Sequence, residues 1–264
     1  MKNIVGFHLP KETQNTPALQ ETEPLIVPVR SVVEVRFLGD GRTFPYYNDQ
    51  FDLSVGDIVF VSGKLAGKMG IVESVTTKFK VNLSYYQKVI AKPDFCLSGT
   101  FTPRLGMMVC YGATARPDAD MFRSWVMPPL PSEEPDEIVY GEGYAFPLEF
   151  FEEDPDVDSV ILSRGIDYCA EGKICYLSLK DGVGTAFVEG THFYEVNFRY
   201  QSGEISDMYC DCPYPGLCKH NLGVLTLLRS LIRESDIAGE PEFTAIESHF
   251  FGKILAISKQ SITV

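Results

Sequence analysis

The stretch Cys210-Asp-Cys212, five residues of Pro/Gly-rich sequence, then Cys218-Lys-His220 at the head of an apolar helical pattern constrains this chain more than any other part of it. Three thiols and one imidazole fall within eleven residues, which is the ligand set of a closed tetrahedral zinc site. Side chains two apart on a strand point to the same face, so Cys210 and Cys212 can share a metal while Asp211 turns away. Pro213, Pro215 and Gly216 then supply the turn that returns Cys218 and His220 to them. A helix beginning near Lys219 sets the positive end of its dipole beside the thiolates and favours their ionised form. The plainer alternative is a set of unrelated buried cysteines.

The residues around this stretch predict its setting. An acidic first turn and apolar residues at 157, 160, 161 and 168 predict a short helix over Asp156 to Tyr168. Four strands follow. Ile174 to Leu179 and Gly184 to Val188 are joined at Asp181-Gly182, a strong hairpin signal, and His192 to Tyr200 and Ile205 to Tyr209 at Ser202-Gly203. The last strand runs into Cys210. Leu222, Leu225, Leu228 and Ile232 then share one helical face, placed over the meander. Phe243, Ile246, Phe250, Ile254 and Leu255 stand at helical spacing, ahead of a strand-like Ser261 to Val264 that closes a sheet or offers an edge.

Cys-x-Cys, a loop, and Cys-x-His leading into an apolar helix resembles a SWIM-type zinc finger, including the triplets Cys212-Pro213-Tyr214 and Cys218-Lys219-His220. The likeness extends upstream through Arg164-Gly165, Tyr168, Gly172, Val188, Gly190, Tyr194 and Val196, so it covers Ser163 to Leu231. The five-residue loop is short for that family and offers a partner less surface. The resemblance implies a ββα zinc unit that binds protein or nucleic acid without catalysis.

The first module reads differently. Val33-Glu-Val35-Arg-Phe37 alternates, Gly39-Asp-Gly41 turns, and Phe44 to Tyr47 returns; Asp57 to Val61, Gly70 to Val75 and Phe79 to Leu83 follow at short spacing. Such spacing predicts a small β-barrel. Gly56-Asp-Ile-Val-Phe-Val-Ser-Gly63-Lys-Leu-Ala-Gly67-Lys-Met-Gly70-Ile-Val72 resembles a KOW-type motif of an SH3-like barrel, and Lys64 and Lys68 are its candidate nucleic-acid contacts. The same stretch is not a phosphate-binding P-loop: only three residues separate Gly63 from Gly67-Lys68, and Met69 occupies the position of the magnesium-binding hydroxyl.

Charge bears on partners. The net charge is −13, but thirteen acids and the single Arg123 lie between Pro117 and Val160, which leaves the rest of the chain near neutral. Arg30 to Lys92 holds nine basic residues against six acids, a modest basic face suited to weak phosphate binding. Prolines break helix and ladder alike, so the acidic stretch reads as a linker, with Tyr144, Phe146, Phe150 and Phe151 packed on a domain surface. Trp125 beside it is a core residue or a partner anchor. Cys96, Cys110, Cys169 and Cys175 read as buried thiols, His192 as a sheet residue, and His8 and His249 as isolated.

The expected architecture is α+β: an N-terminal extension over 1–30, a small SH3-like β-barrel module over 31–115, an acidic Pro-rich linker over 116–155, an antiparallel meander with a ββα zinc finger over 156–235, and a C-terminal helix and strand over 236–264. Met1 to Thr16 is too short and broken for a signal peptide, no apolar run has the length of a membrane helix, and the cysteine usage fits a reducing cytoplasm. A closed Cys₃His shell has no open position for water. The reading is a non-catalytic zinc-binding module whose partner is a protein, DNA or RNA, with no small-molecule substrate. The alternative is a regulatory subunit or an enzyme whose active site the sequence does not reveal.

Overall fold

A computed structural model describes residues 30–37, 41–66, 68–80, 82–112, 114–127, 145–235 and 240–257. Met1 to Thr16, the acidic run Glu133 to Glu137, Tyr144 and the terminal Ser261 to Val264 lie outside these residues.

The first sheet has five antiparallel strands, β1 (Ser31–Phe37), β2 (Thr43–Asn48), β3 (Ile58–Val61), β4 (Gly70–Thr76) and β5 (Val89–Ala91), in the order β2-β1-β4-β3-β5. The alternation in β1 turns Val33, Val35 and Phe37 inward, where Val59, Val61, Val72 and Val89 complete an aliphatic core. Gly70 makes this packing possible, since a Cβ there would lie 2.2 Å from Val35 Cγ1. Among the described residues the outer strands meet at one isolated bridge, Tyr47 to Lys88, so no continuous ladder closes the sheet into a barrel. The strand expected over Phe79 to Leu83 is absent: Phe79, Lys80 and Asn82 lie outside strands, and the place beside β3 is taken by Val89–Ala91. Pairing overrides the local alternation there.

The second sheet has eight strands. These are β6 (Thr102–Arg104), β7 (Met107–Tyr111), β8 (Phe146–Pro147), β9 (Ile174–Lys180), β10 (Val183–Glu189), β11 (Phe193–Gln201), β12 (Glu204–Cys210) and β13 (Phe243–Glu247). Their order is β6-β7-β13-β9-β10-β11-β12-β8, antiparallel throughout. The two hairpins turn at Asp181-Gly182 and Ser202-Gly203, where all four residues have positive φ, as a two-residue turn requires.

Both faces of this sheet are covered. On one, α2 (Ser159–Ala170) and α3 (Lys219–Glu234) lie over Leu177, Leu179, Ala186, Val188, Val196 and Phe198, and α3 contributes Leu222, Leu225, Leu228 and Leu231 to the core. A 3₁₀ stretch, Leu148–Glu153, is fastened to α3 by Arg229 on Glu152 and Arg233 on Glu149. On the other face, α1 (Ala119–Val126) and α4 (Ser248–Ile257) bring Phe122, Trp125, Phe251 and Ile254 against Tyr176, Phe187 and Ile246.

Three placements differ from the expectations. β6 and β7, at the end of the span assigned to the first module, pair into the larger sheet through β13. The stretch read as a linker contains α1, capped by Asp118, which accepts a hydrogen bond from Met121 N at 2.8 Å; Phe122 and Trp125 share its buried face. Phe243 and Ile246 lie on a strand rather than on the helix that follows. A central strand buried on both faces has no polar alternation to reveal it, and Phe243 to Ile246 are all buried.

Candidate metal centre

The end of β12 and the start of α3 are brought together by the hairpin pairing and by the packing of two helices. Val196 pairs with Cys210, and the bond from Asp211 N to Glu195 O, 3.1 Å, carries the extended geometry one residue further. Asp211 turns away and accepts from Glu195 N at 3.0 Å, as the two-residue period predicts. Gly216, at φ +88°, turns the loop back. Cys218 is then the N-cap of α3: its sulfur accepts from Asn221 N, and Asn221 Oδ1 accepts from Cys218 N at 3.1 Å. This satisfies two free amides of the first turn reciprocally.

The helix is held in place by α2. Gly165 lies so close to α3 that a Cβ there would stand 2.8 Å from Leu222 Cβ, 2.9 Å from Gly223 N and 3.0 Å from Lys219 O. Gly165→Ala gains about 1 kcal/mol of helix propensity but forces backbone apart, an overpacking loss of about 1–3 kcal/mol. The expected result is a net loss of stability with weaker metal binding, because α3 carries Cys218 and His220. Urea midpoints and metal titration of the variant check both parts.

The ligand atoms of Cys210, Cys212, Cys218 and His220 all lie within 4.8 Å of one another, and this is the one group of metal-ligating side chains so assembled among the described residues. Cys218 and His220 are buried, Cys210 and Cys212 half-buried. His220 Nδ1 faces Cys210 Sγ at 3.6 Å, while His220 Nε2 is buried with no hydrogen-bond partner among the described residues. The hydrogen bond with Cys210 outweighs burial and, with His220 and the Asn221 amide, brings Cys218 down to about 4. The same bond together with burial holds Cys210 above the usual thiol range; burial and the Cys218 charge raise Cys212. One thiolate therefore forms at the expense of its neighbours. A cation among the sulfurs removes that competition, since metal ligands bind deprotonated. The donor set, its burial and its mutual distances fit one metal ion.

The remaining candidates lie elsewhere. Cys110 and Cys175 are buried and Cys96 and Cys169 half-buried, none joined to the cluster. Burial, with the charges of Glu189 and Glu247, pushes Cys175 up to about 12. His192 sits in an exposed bend before β11, not in the sheet. Lys64 lies in the 3₁₀ turn Gly63–Leu65 and Lys68 in the connection to β4, both exposed and on the other sheet from the cluster.

Two residues around the site have no signal in the ligand spacing. Tyr194, on β11, stacks on the His220 ring at 4.4 Å and 19°, and Tyr168, on α2, meets it at 5.5 Å and 58°. Both belong to the upstream resemblance, which was the available pointer to them. A polar row continues beyond the site: Arg123 Nε donates to Glu195 at 2.8 Å, Asn197 to Glu195 at 3.0 Å and Thr185 to Asn197 at 3.0 Å. Burial raises the Glu195 carboxyl, but the bonds from Arg123 and Asn197 overcome it and leave it below the ordinary range.

No protein family, no curated protein and no solved structure matches this chain. No helix among the described residues is long and apolar enough to cross a membrane.

Proposed function

We propose that this chain is a non-catalytic zinc-binding module that presents a surface to a partner, as its resemblance to SWIM-type fingers implies. The observation that carries the reading is the Cys₃His cluster, within 4.8 Å and partly buried at a strand-to-helix junction. Three sulfurs and one imidazole suit zinc over harder cations. They fill a tetrahedral shell and leave no position at which the ion activates water. Zinc supplies a cross-link between the end of β12 and the first turn of α3. Tyr214, half-exposed between Pro213 and Pro215 on the loop that joins the ligands, offers an apolar contact to a protein partner.

The first sheet is proposed as an SH3-like unit with weak nucleic-acid affinity through Lys64 and Lys68. Support comes from its five antiparallel strands, from the bridge that brings β2 toward β5, and from the local basic excess. A cytoplasmic location follows from the reduced cysteines this reading requires.

Elemental analysis should give one zinc per chain, lost in the Cys218→Ser, His220→Ala double variant; zinc retained by that variant overturns the assignment. A salt-dependent titration with mixed nucleic acids tests the partner. The single changes Lys64→Glu and Lys68→Glu should each lower the salt slope by about one, and the two together should abolish binding. Binding that survives this change but disappears with zinc would move the interface to the Cys/His region. Absence of binding at low salt leaves a protein partner.

A further inference from the structure

Histidines that bind metals commonly donate their second ring N–H to a carboxylate, carbonyl or water, which fixes the tautomer and the ring plane. Among the described residues no carboxylate or carbonyl gives His220 that support. His220 is 4% exposed, its Nδ1 faces Cys210 Sγ at 3.6 Å, and its Nε2 is buried with no hydrogen-bond partner among the described residues. What surrounds the ring is aromatic. Tyr194 lies almost parallel to it at 4.4 Å, and Tyr168 is tilted across it at 5.5 Å.

Each tyrosine is itself held. Tyr194 Oη is hydrogen-bonded to Thr191 Oγ1 at 2.9 Å, and Gly190 leaves room for its ring, since a Cβ there would stand 2.8 Å from Tyr194 Cε2. Tyr168 Oη accepts from Lys219 Nζ at 2.6 Å, and the same ammonium lies 4.2 Å from the Tyr168 ring centre. The two rings arrive from different elements, β11 and α2, so they fix the imidazole plane from two directions.

We infer that Tyr194 and Tyr168 are positioning residues for the metal site: they orient His220 by aromatic packing, in place of the outer hydrogen bond. Two physical effects act together. Stacking leaves one ring plane available, which aims Nδ1 at the sulfurs. The electron-rich face of Tyr194 also stabilises the partial positive charge an imidazole takes on when it ligates a cation. The inference rests on the metal-binding reading and adds to it the means by which the one nitrogen ligand is held.

The test is a cycle of zinc affinities, read by competition with a chromophoric chelator. Tyr194→Leu should weaken zinc binding about 10–100-fold, the range for loss of a ligand's outer support. Tyr194→Phe keeps the ring and should stay within about twofold of the parent. In a His220→Cys chain, whose site has four thiolates, Tyr194→Leu should likewise cost no more than about twofold. Cobalt substitution supplies a second reading: the visible d–d bands of the Tyr194→Leu protein should shift toward those of a chain whose His220 no longer ligates. An equal loss in the histidine and cysteine backgrounds would reduce Tyr194 to a packing residue and overturn the inference. So would a Tyr194→Phe chain as weak as Tyr194→Leu, or a Tyr194→Leu chain indistinguishable from the parent. If Tyr194→Leu does not fold, Tyr168→Leu enters the same cycle with the same expected and overturning outcomes. A parent chain that holds no zinc sinks the metal reading itself, a failure seen before any variant is made.

Discussion

A strong chelator is expected to strip hydrogen-exchange protection from α3, β11 and β12 while β1 and β4 stay protected. The proposed zinc site would join the last residue of β12 to the first turn of α3, and α3 supplies Leu222, Leu225, Leu228 and Leu231 to the core above the larger sheet. Structural zinc contributes about 10–16 kcal/mol of apparent binding energy, comparable with the roughly 5–15 kcal/mol that stabilises a whole domain. Removing it should therefore release the helix and the layer it covers. β1 and β4 hold Val33, Val35 and Val72 in a separate cluster that includes no residue of α3. Trp125 reports on the other face of the larger sheet by fluorescence, since it is the only tryptophan in the chain. Its emission should shift to the red with zinc release and return when zinc is restored. Acid should act as chelation does, because the ligands bind as thiolates and protons compete for them. Equal loss of protection in β1, β4 and α3 would show one cooperative unit and overturn the division.

The site was legible because its chemistry is local. All four donors stand within eleven residues, and the strand-to-helix context is written in the same stretch. The hairpins at Asp181-Gly182 and Ser202-Gly203 were legible for the same reason, a turn being a property of two residues. What was not legible depends on distance along the chain. Nothing in Met107–Tyr111 announces that it pairs with Phe243–Glu247, because a strand buried on both faces lacks the alternation that gives a face away. The spacing of Phe243, Ile246 and Phe250 imitates a helix across what is a strand-to-helix junction. α1 was hidden by the prolines and acids that follow it, although Asp118, Phe122 and Trp125 carry a cap and an apolar face. The tyrosines around His220 come from 26 and 52 residues before it, beyond the reach of any spacing argument.

Trp125→Ala should be the most damaging single substitution outside the metal site. The side chain is fully buried, its ring lies 5.0 Å from Phe95 at 28° and 5.6 Å from Phe122, and its Nε1 donates to Asp94 O at 2.9 Å. Truncating a buried tryptophan removes its packing and leaves a cavity, a loss of about 3–5 kcal/mol. The cavity would open in the cluster that joins Ile58 of β3, Phe95, Leu97 and Phe101 to Tyr176, Phe187 and Ile246 of the larger sheet. The damage should therefore concentrate where the two sheets meet and on the face covered by α1 and α4. Trp125→Phe keeps an aromatic ring against Phe95 and gives up the bond to Asp94, so it should recover much of the loss. Urea unfolding followed by exchange separates the outcomes. Protection should fall in β9, β10 and α1 while Val33 and Val35 keep theirs, and zinc should stay bound until the larger sheet melts. A loss below about 1 kcal/mol is what a peripheral residue gives, and it would return Trp125 to the role of an anchor for a partner, held in the core only loosely.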